Sequence, residues 1–289
     1  MQQRWIGARQ VSAIGLGEMP MSIEGRPDEE RSIETVRAAL DAGVTLIDTA
    51  DAYSLGGDDT GHGERLVAKA LASWGGDRRS VLIATKAGHF RPGDGTWEVN
   101  GNPDYLRRAA DASLARLGVE AIGLYQYHRP DPNVPYEDAI GVFKELLEAG
   151  KVVMVGVSNA TIEQIDTAVS VLGKGNLASV QNKFSPGYRF TEGELRHCAE
   201  IGAAFMPWGP FGGIGNADVL LREHPAFARV GADHGVSTHQ VVLAWMLAKG
   251  DHVVPIPGAS RPSSARDCAA AVDLQLSSQE LCRLDSDQG

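Results

Sequence analysis

"LIDTADAY", residues 46–53, begins as a buried strand and ends as a polar cluster. Leu46 and Ile47 close an apolar run, and Asp48, Asp51 and Tyr53 follow immediately. Burying an unpaired carboxylate costs several kcal/mol, and a phenol ordinarily ionises only near pH ~10. Such groups at the mouth of a core strand need partners brought by other strands. The arrangement of those strands therefore decides both the fold and the purpose of the cluster.

Seven more short apolar runs alternate with helical patterns. "VSAIGLG" (11–17) precedes the opening stretch, whose own strand spans 44–48. "VLIATK" (81–86), "IGLYQYH" (122–128), "VVMVGVSN" (152–159), "ASVQN" (178–182), "AAFMP" (203–207) and "HVVPIPG" (252–258) follow it. Near-continuous apolar strands are covered on both faces, as in parallel sheets. The intervening segments carry helix signals. In "PYEDAIGVFKELLEAG", Pro135 stands at a start, Ile140, Phe143 and Leu147 share a face, and Gly150 marks the end. "DEERSIETVRAALDAG" repeats the plan with Ile33, Val36, Leu40 and Gly43, and the stretch 223–248 is expected to hold more than one helix. Eight strands alternating with helices, without a Pro/Gly/Ser-rich linker, predict a single-domain α/β (β/α)₈ TIM barrel spanning 1–289. An open doubly wound sheet is the alternative. Its dinucleotide fingerprint is missing: "GLGEMP" (15–20) lacks the third glycine, and "GGIGNAD" (212–218) lacks the strand–helix context.

The composition excludes several classes. The 289 residues are 43% hydrophobic and 22% charged, and no apolar stretch is long enough to span a membrane. The N-terminus has no apolar segment of a secretory signal, and Cys198, Cys268 and Cys282 form no CxxC pair, so a reduced cytoplasmic location is expected. A net charge of −10 without Lys/Arg runs argues against nucleic acid, and any anionic ligand must be held by a local cluster. His62, His89 and His128 are dispersed, so no metal site is expected. Oligomeric state is not written in the sequence, and a monomer is compatible with it.

In a (β/α)₈ barrel the chemistry lies at the C-terminal strand ends. Strand two ends at Asp48, with Tyr53 in the following loop; strand three ends at Lys86 and strand four at His128. Each has an ordinary structural explanation alone, but four at adjacent strand ends can converge. A lysine ammonium makes a neighbouring phenol easier to deprotonate, Asp48 can hold that lysine charged, and a histidine can hold a substrate oxygen against the tyrosine. A carbonyl receiving hydride needs such a proton donor and oxyanion partner.

These residues and their surroundings resemble the aldo-keto reductase superfamily. "GVTLIDTADAY", "ATK", "YQYHRPDP", "GKVVMVGVSN", "VQNKFS", "PWGPFGG" and "IPGASRPSSARDCAAA" match its segments in order over nearly the whole chain. The resemblance implies a barrel that reduces aldehydes or ketones with NADPH, NADH being possible. It makes Tyr53 the proton donor, Lys86 and Asp48 its tuning pair, and His128 the carbonyl-orienting group. It implies that Ser158, Asn159 and Gln181 hold the nicotinamide carboxamide. Phe184 stands where the family often stacks a tyrosine on the ring. Trp208, Gly209, Pro210, Phe211 and Gly212 would approach the pyrophosphate. The adenosine end would meet Gly258, Ser260, Arg261, Ser264, Arg266 and Asp267 at a helix start suggested by Pro262, whose free N–H groups attract anions. Cys268 stands where the family often has an adenine-holding Asn. Two arginines at a helix N-terminus oppose the macrodipole, which a 2′-phosphate would explain; bidentate guanidinium contacts suit it.

Met19, Phe90, Trp97 and Trp208 are candidate pocket residues, and the tail "LDSDQG" is too short to close over them. Short chains of this kind also resemble bacterial pyridoxal reductases, which adds pyridoxal to the candidate aldehydes. Two rival readings remain: a lyase forming a Schiff base on Lys86, and a cofactor-binding regulatory subunit with little turnover.

Overall fold

The computed structural model describes residues 1–213, 215, 219 and 222–287; part of the "GGIGNAD" stretch and the last two residues of the tail lie outside these. The chain opens with an antiparallel hairpin, β1 (Gln3–Ile6) and β2 (Arg9–Ser12), and then enters the barrel through β3 (Leu16–Gly17). The predicted first strand over 11–17 is thus two elements. Ile6 and Val11 of the hairpin pack with Leu46, Leu82, Leu124, Met154 and Met206, which plugs the end of the barrel interior away from the site.

The strands β4 (Leu46–Asp48), β5 (Leu82–Ala87), β8 (Ile122–Tyr127), β9 (Val152–Ser158), β10 (Leu177–Gln181) and β11 (Ala204–Phe205) extend the parallel sheet from β3 in that order. A second small hairpin, β6 (His89–Phe90) with β7 (Glu98–Val99), follows β5. Residues 253–258 close the barrel. The N–H groups of Val254 and Ile256 donate to Phe205 and Pro207, while Gly15 and Gly17 donate to the carbonyls of Pro255 and Pro257. Proline has no N–H to return, so this strand can only accept from β3, and the ladder there is reduced to isolated bridges such as Gly17–Gly258. Gly17 is required at this seam because a Cβ would lie 2.9 Å from the Ile256 carbonyl oxygen.

The helices α1 (Glu29–Asp41), α2 (His62–Ser73), α3 (Pro103–Leu117), α4 (Tyr136–Glu148), α5 (Ile162–Leu172) and α6 (Glu192–Ile201) follow the strands as their sequence signals indicate. Ile140 and Phe143 of α4 are buried, Leu147 is half-buried, and Gly150 has φ 72° in the left-handed region that favours glycine. Region 223–248 contains two helices, Pro225–His234 and Thr238–Leu247, and Pro262 starts the helix Pro262–Ala270. No helix among the described residues is long and apolar enough to cross a membrane.

Candidate active site

Along each barrel strand, side chains alternate between the interior and the helix layer. Leu46 and Leu124 pack in the interior, and so Asp48 and Gln126, two residues on, also turn inward at the C-terminal rim. Strands β4, β5 and β8 are hydrogen-bonded neighbours, so Asp48, Lys86 and His128 arrive side by side. Tyr53 enters from the loop after β4, held by its N–H to Ala50 O and its carbonyl to the Gly63 N–H.

The centre of the cluster is the Lys86 ammonium, which is wholly buried. Its Nζ donates to Asp48 Oδ2 at 2.6 Å, to Thr49 O at 2.8 Å and to the Tyr53 hydroxyl at 3.2 Å. All three N–H bonds are used. Burial disfavours the Lys86 cation, but Asp48 and Tyr53 outweigh it and hold the lysine above its ordinary value. This contradicts the Schiff-base reading, which needs a free neutral amine. For Tyr53 the balance runs against the sequence expectation of easier ionisation: burial raises its hydroxyl above the ordinary phenol value, and Lys86 only opposes that rise. The phenol is therefore held protonated. Because its oxygen accepts from Lys86, its own O–H is left to donate.

The ring of His128 lies edge-on to Tyr53 with centroids 5.7 Å apart. Burial, and then the nearby Lys86 and Arg129 cations and the His89 ring, push His128 well below its ordinary value, so it is neutral. Its backbone carbonyl accepts from Asn159 Nδ2 at 3.0 Å, and the same amide donates to Ser158 Oγ at 2.9 Å. Asn159 has φ 55°, a strained conformation that asparagine tolerates better than most residues. Gln181 Nε2 donates to Asp48 Oδ1 at 2.8 Å, and Ser158 Oγ donates to Gln181 O at 2.8 Å. The three residues expected to face a carboxamide thus form one hydrogen-bonded group beside the tetrad.

Several sequence expectations are corrected. Phe184 is fully buried and stacked on Trp245 at 5.4 Å, so it is a core aromatic and cannot lie on a ligand ring. Trp208 is the aromatic that reaches the mouth: half-buried, it packs against the barrel-interior cluster and leaves its buried Nε1 unpartnered. Both Asp267 carboxylate oxygens accept from the preceding helix, from Ser237 Oγ at 2.6 Å and Gln240 Nε2 at 2.7 Å. That gives Asp267 a helix-tethering role. Arg266 lines a hollow with Met1, Ala42 and Asp273, whereas Arg261 lines a groove with Asp28, Glu30, Arg31 and Glu34. Arg261 is the extended N-cap residue and Arg266 lies within the helix, so the two guanidinium groups serve separate depressions. Cys268 is buried against Ile14 and Leu243.

Gly209, Gly212 and Gly213 have φ of 62°, 86° and 107°, so the loop 207–213 exposes its backbone at these three positions, while Phe211 packs edge-on to His239 at 4.5 Å. Pro210 lies within the same loop. Arg261 Nε donates to Ser264 Oγ at 2.8 Å at the start of the helix that follows Gly258 and Ser260. Met19 and Phe90 are half-buried, and Trp97 is 37% exposed.

The chain matches the aldo/keto reductase family over residues 13–287. It belongs to that family. The protein is accordingly an oxidoreductase whose chemistry is carbonyl reduction with a nicotinamide cofactor. Among curated relatives, it is 35% identical to the 6-dehydroglucose reductase of Novosphingobium aromaticivorans, covering 93% of this chain and 89% of that protein. It is 32% identical to an uncharacterized oxidoreductase of Schizosaccharomyces pombe, covering 98% and 88%. Among solved structures, a thermostable aldo-keto reductase superposes with a TM-score of 0.83 at 28% identity, covering 99% of both chains. The glycerol dehydrogenase of Gluconobacter oxydans superposes with a TM-score of 0.83 at 26% identity, covering 98% and 93%.

Sequence reasoning missed Gln126, Thr49, Glu18 and His89. Gln126 was legible from strand alternation, two residues before His128. Glu18 carried no signal of its own. It is completely buried at the end of β3, accepting from Thr49 Oγ1 at 2.9 Å and from Ser22 Oγ, which also contacts His62 Nδ1 at 2.7 Å. Burial raises the Glu18 carboxyl to about 7 against the opposing Ser22, Thr49 and Lys86 interactions. Gly63 leaves room for it, since a Cβ there would overlap Glu18 Oε2.

Proposed function

We propose that Tyr53 is the proton donor of an NADPH-preferring carbonyl reductase. The observation that carries this reading is the Lys86 ammonium bridging Asp48 Oδ2 and the Tyr53 hydroxyl. The substrate carbonyl oxygen lies between the Tyr53 O–H and the neutral His128 ring. Ser158, Asn159 and Gln181 would hold a nicotinamide, which when bound would supply the hydride for the carbonyl carbon. As negative charge gathers on the oxygen, Tyr53 gives up its proton, and Lys86 stabilises the phenolate left behind. Asp48 keeps Lys86 charged and pointed at Tyr53 throughout.

The residues fit such a cofactor. Trp208 offers a flat face at the mouth, and Ser158, Asn159 and Gln181 offer hydroxyl and amide groups beside it. The glycine-rich loop 207–213 suits a pyrophosphate. Arg261 and Ser264 carry the NADPH preference through a 2′-phosphate, with Arg31 as a second cation in their groove and Asp28, Glu30 and Glu34 opposing it. The relatives named 6-dehydroglucose reductase and glycerol dehydrogenase favour small hydroxylated carbonyl compounds over pyridoxal as substrates. The complete tetrad favours turnover over a purely regulatory role.

The test is NADPH oxidation, followed by absorbance, over a panel of aldehydes and ketones that includes pyridoxal. The wild-type enzyme is expected to turn over members of the panel, and Tyr53→Phe to lose about 10²–10⁴-fold in kcat while still binding NADPH. Wild-type rates in Tyr53→Phe would remove Tyr53 from the acid role.

A further inference from the structure

His89 follows Lys86 by three residues, on a strand end that also carries catalytic groups, yet the tetrad does not use it. Its ring stands perpendicular to that of His128 with centroids 4.9 Å apart. It is only 9% exposed, and its Nδ1 is buried without a hydrogen-bond partner. An unpaired buried polar atom is destabilising, and an apolar side chain would fill the same space without that cost. His128, 7% exposed, has the same unpartnered Nδ1.

His89 is also held rigidly. Its backbone pairs with Val99 in the β6–β7 hairpin, and its ring stacks on Trp97 at 4.8 Å. The Arg91 guanidinium lies 4.8 Å from the Trp97 ring centroid and is itself anchored to Glu24 and to Ser54 O at 2.6 Å. Burial, assisted by Arg129, pushes His89 down to about 4, so the ring stays neutral, with one donor and one acceptor nitrogen, throughout the neutral range. Two neutral imidazoles thus lie side by side, one beside Tyr53 and one beyond it.

We propose that His89 is a specificity-determining residue that hydrogen-bonds a hydroxyl on the carbon next to the substrate carbonyl, so that the enzyme selects 2-hydroxyaldehydes and 1-hydroxyketones. This rests on the carbonyl-reductase reading above. Oxygens on adjacent carbons lie about a hydrogen-bond length apart, which matches two neighbouring imidazoles, His128 on the carbonyl oxygen and His89 on the hydroxyl. The exposed part of Trp97 offers an apolar face to the C–H side of such a molecule. A site built to bond a hydroxyl rejects the analogue lacking it more strongly than an apolar pocket rejects an added one.

The test compares kcat/KM for glyceraldehyde and propanal, which share a three-carbon chain, in the wild type, His89→Phe and His89→Gln. Phenylalanine keeps the stack on Trp97 and removes both ring nitrogens; glutamine keeps a donor and an acceptor. The wild type is expected to prefer glyceraldehyde. His89→Phe should lower the glyceraldehyde/propanal ratio about tenfold or more, and His89→Gln should restore part of it. Turnover of both aldehydes with the ratio unmoved in His89→Phe overturns the inference alone. No carbonyl reduction by the wild type overturns the function reading and this inference together. If His89→Phe fails to fold, the ratio in His89→Gln decides: a value near the wild type's supports the inference, and a value near one overturns it.

Discussion

Gln181 Nε2 lies 2.8 Å from Asp48 Oδ1, the carboxylate oxygen that Lys86 does not take. Gln126 Nε2 approaches the same oxygen at 3.2 Å. Asp48 therefore has donors on both oxygens from three different barrel strands. A buried carboxylate clamped in this way cannot rotate, and the direction of the Lys86 ammonium follows from it.

Replacing Gln181 by Leu removes one donor from this buried carboxylate, and such losses cost about 1–3 kcal/mol. Urea unfolding should show a decrease of that size, with a fall in kcat as the Lys86–Tyr53 alignment loosens. Unchanged stability and activity would mean that Gln126 holds Asp48 unaided.

Lys86→Met leaves Asp48 buried without its cation, and breaking a buried pair from one side costs ~3–5 kcal/mol. Asp48→Asn leaves the lysine equally exposed to its own burial penalty. In a double-mutant cycle the two losses in activity should be strongly non-additive, because each variant breaks the same bond. Independent addition would show that Asp48 does not act through Lys86.

Glu18 should make stability depend on pH. Its carboxyl rises from an ordinary 4.5 to about 7 on folding, so between those values the folded state binds more protons than the unfolded state. Stability is then full below pH 4.5 and is lost as pH rises through 7, with a total of roughly 3 kcal/mol at 1.36 kcal/mol per unit. Glu18→Gln removes this titration, so the gap between variant and wild-type unfolding free energies should shift in the variant's favour from pH 5 to pH 8. A pH-independent gap would show that Glu18 keeps an ordinary carboxyl in the fold.

Arg261→Ala tests the cofactor preference. The Arg261 guanidinium stands over the first turn of its helix, tied to Ser264, and is the cation there best placed for a phosphate. The KM for NADPH should rise while that for NADH stays near its original value. Equal losses with both cofactors, or a wild-type preference for NADH, would sink the assignment; the acidic Asp28, Glu30 and Glu34 across the groove are the groups that would produce that outcome.

What the sequence by itself determined was local in origin. Apolar runs read as strands because each pairs within a covered sheet, and Pro135, Gly150 and Pro262 mark helix ends because their backbones permit little else there. Asp48, Tyr53, Lys86 and His128 were legible because strand ends in an eight-stranded barrel converge whatever fills the helices. Tertiary packing decided which way the remaining side chains turn. Phe184 and Trp208 are both aromatics at strand ends, but Trp245 stacks on the first and draws it into the core, while the barrel interior leaves the second at the mouth. Asp267 was expected at the adenosine end, but Ser237 and Gln240, from a helix about thirty positions away, take its oxygens. The Tyr53 hydroxyl looked easy to ionise because the sequence reveals the lysine beside it and not the burial around both; in the folded protein burial is the larger effect.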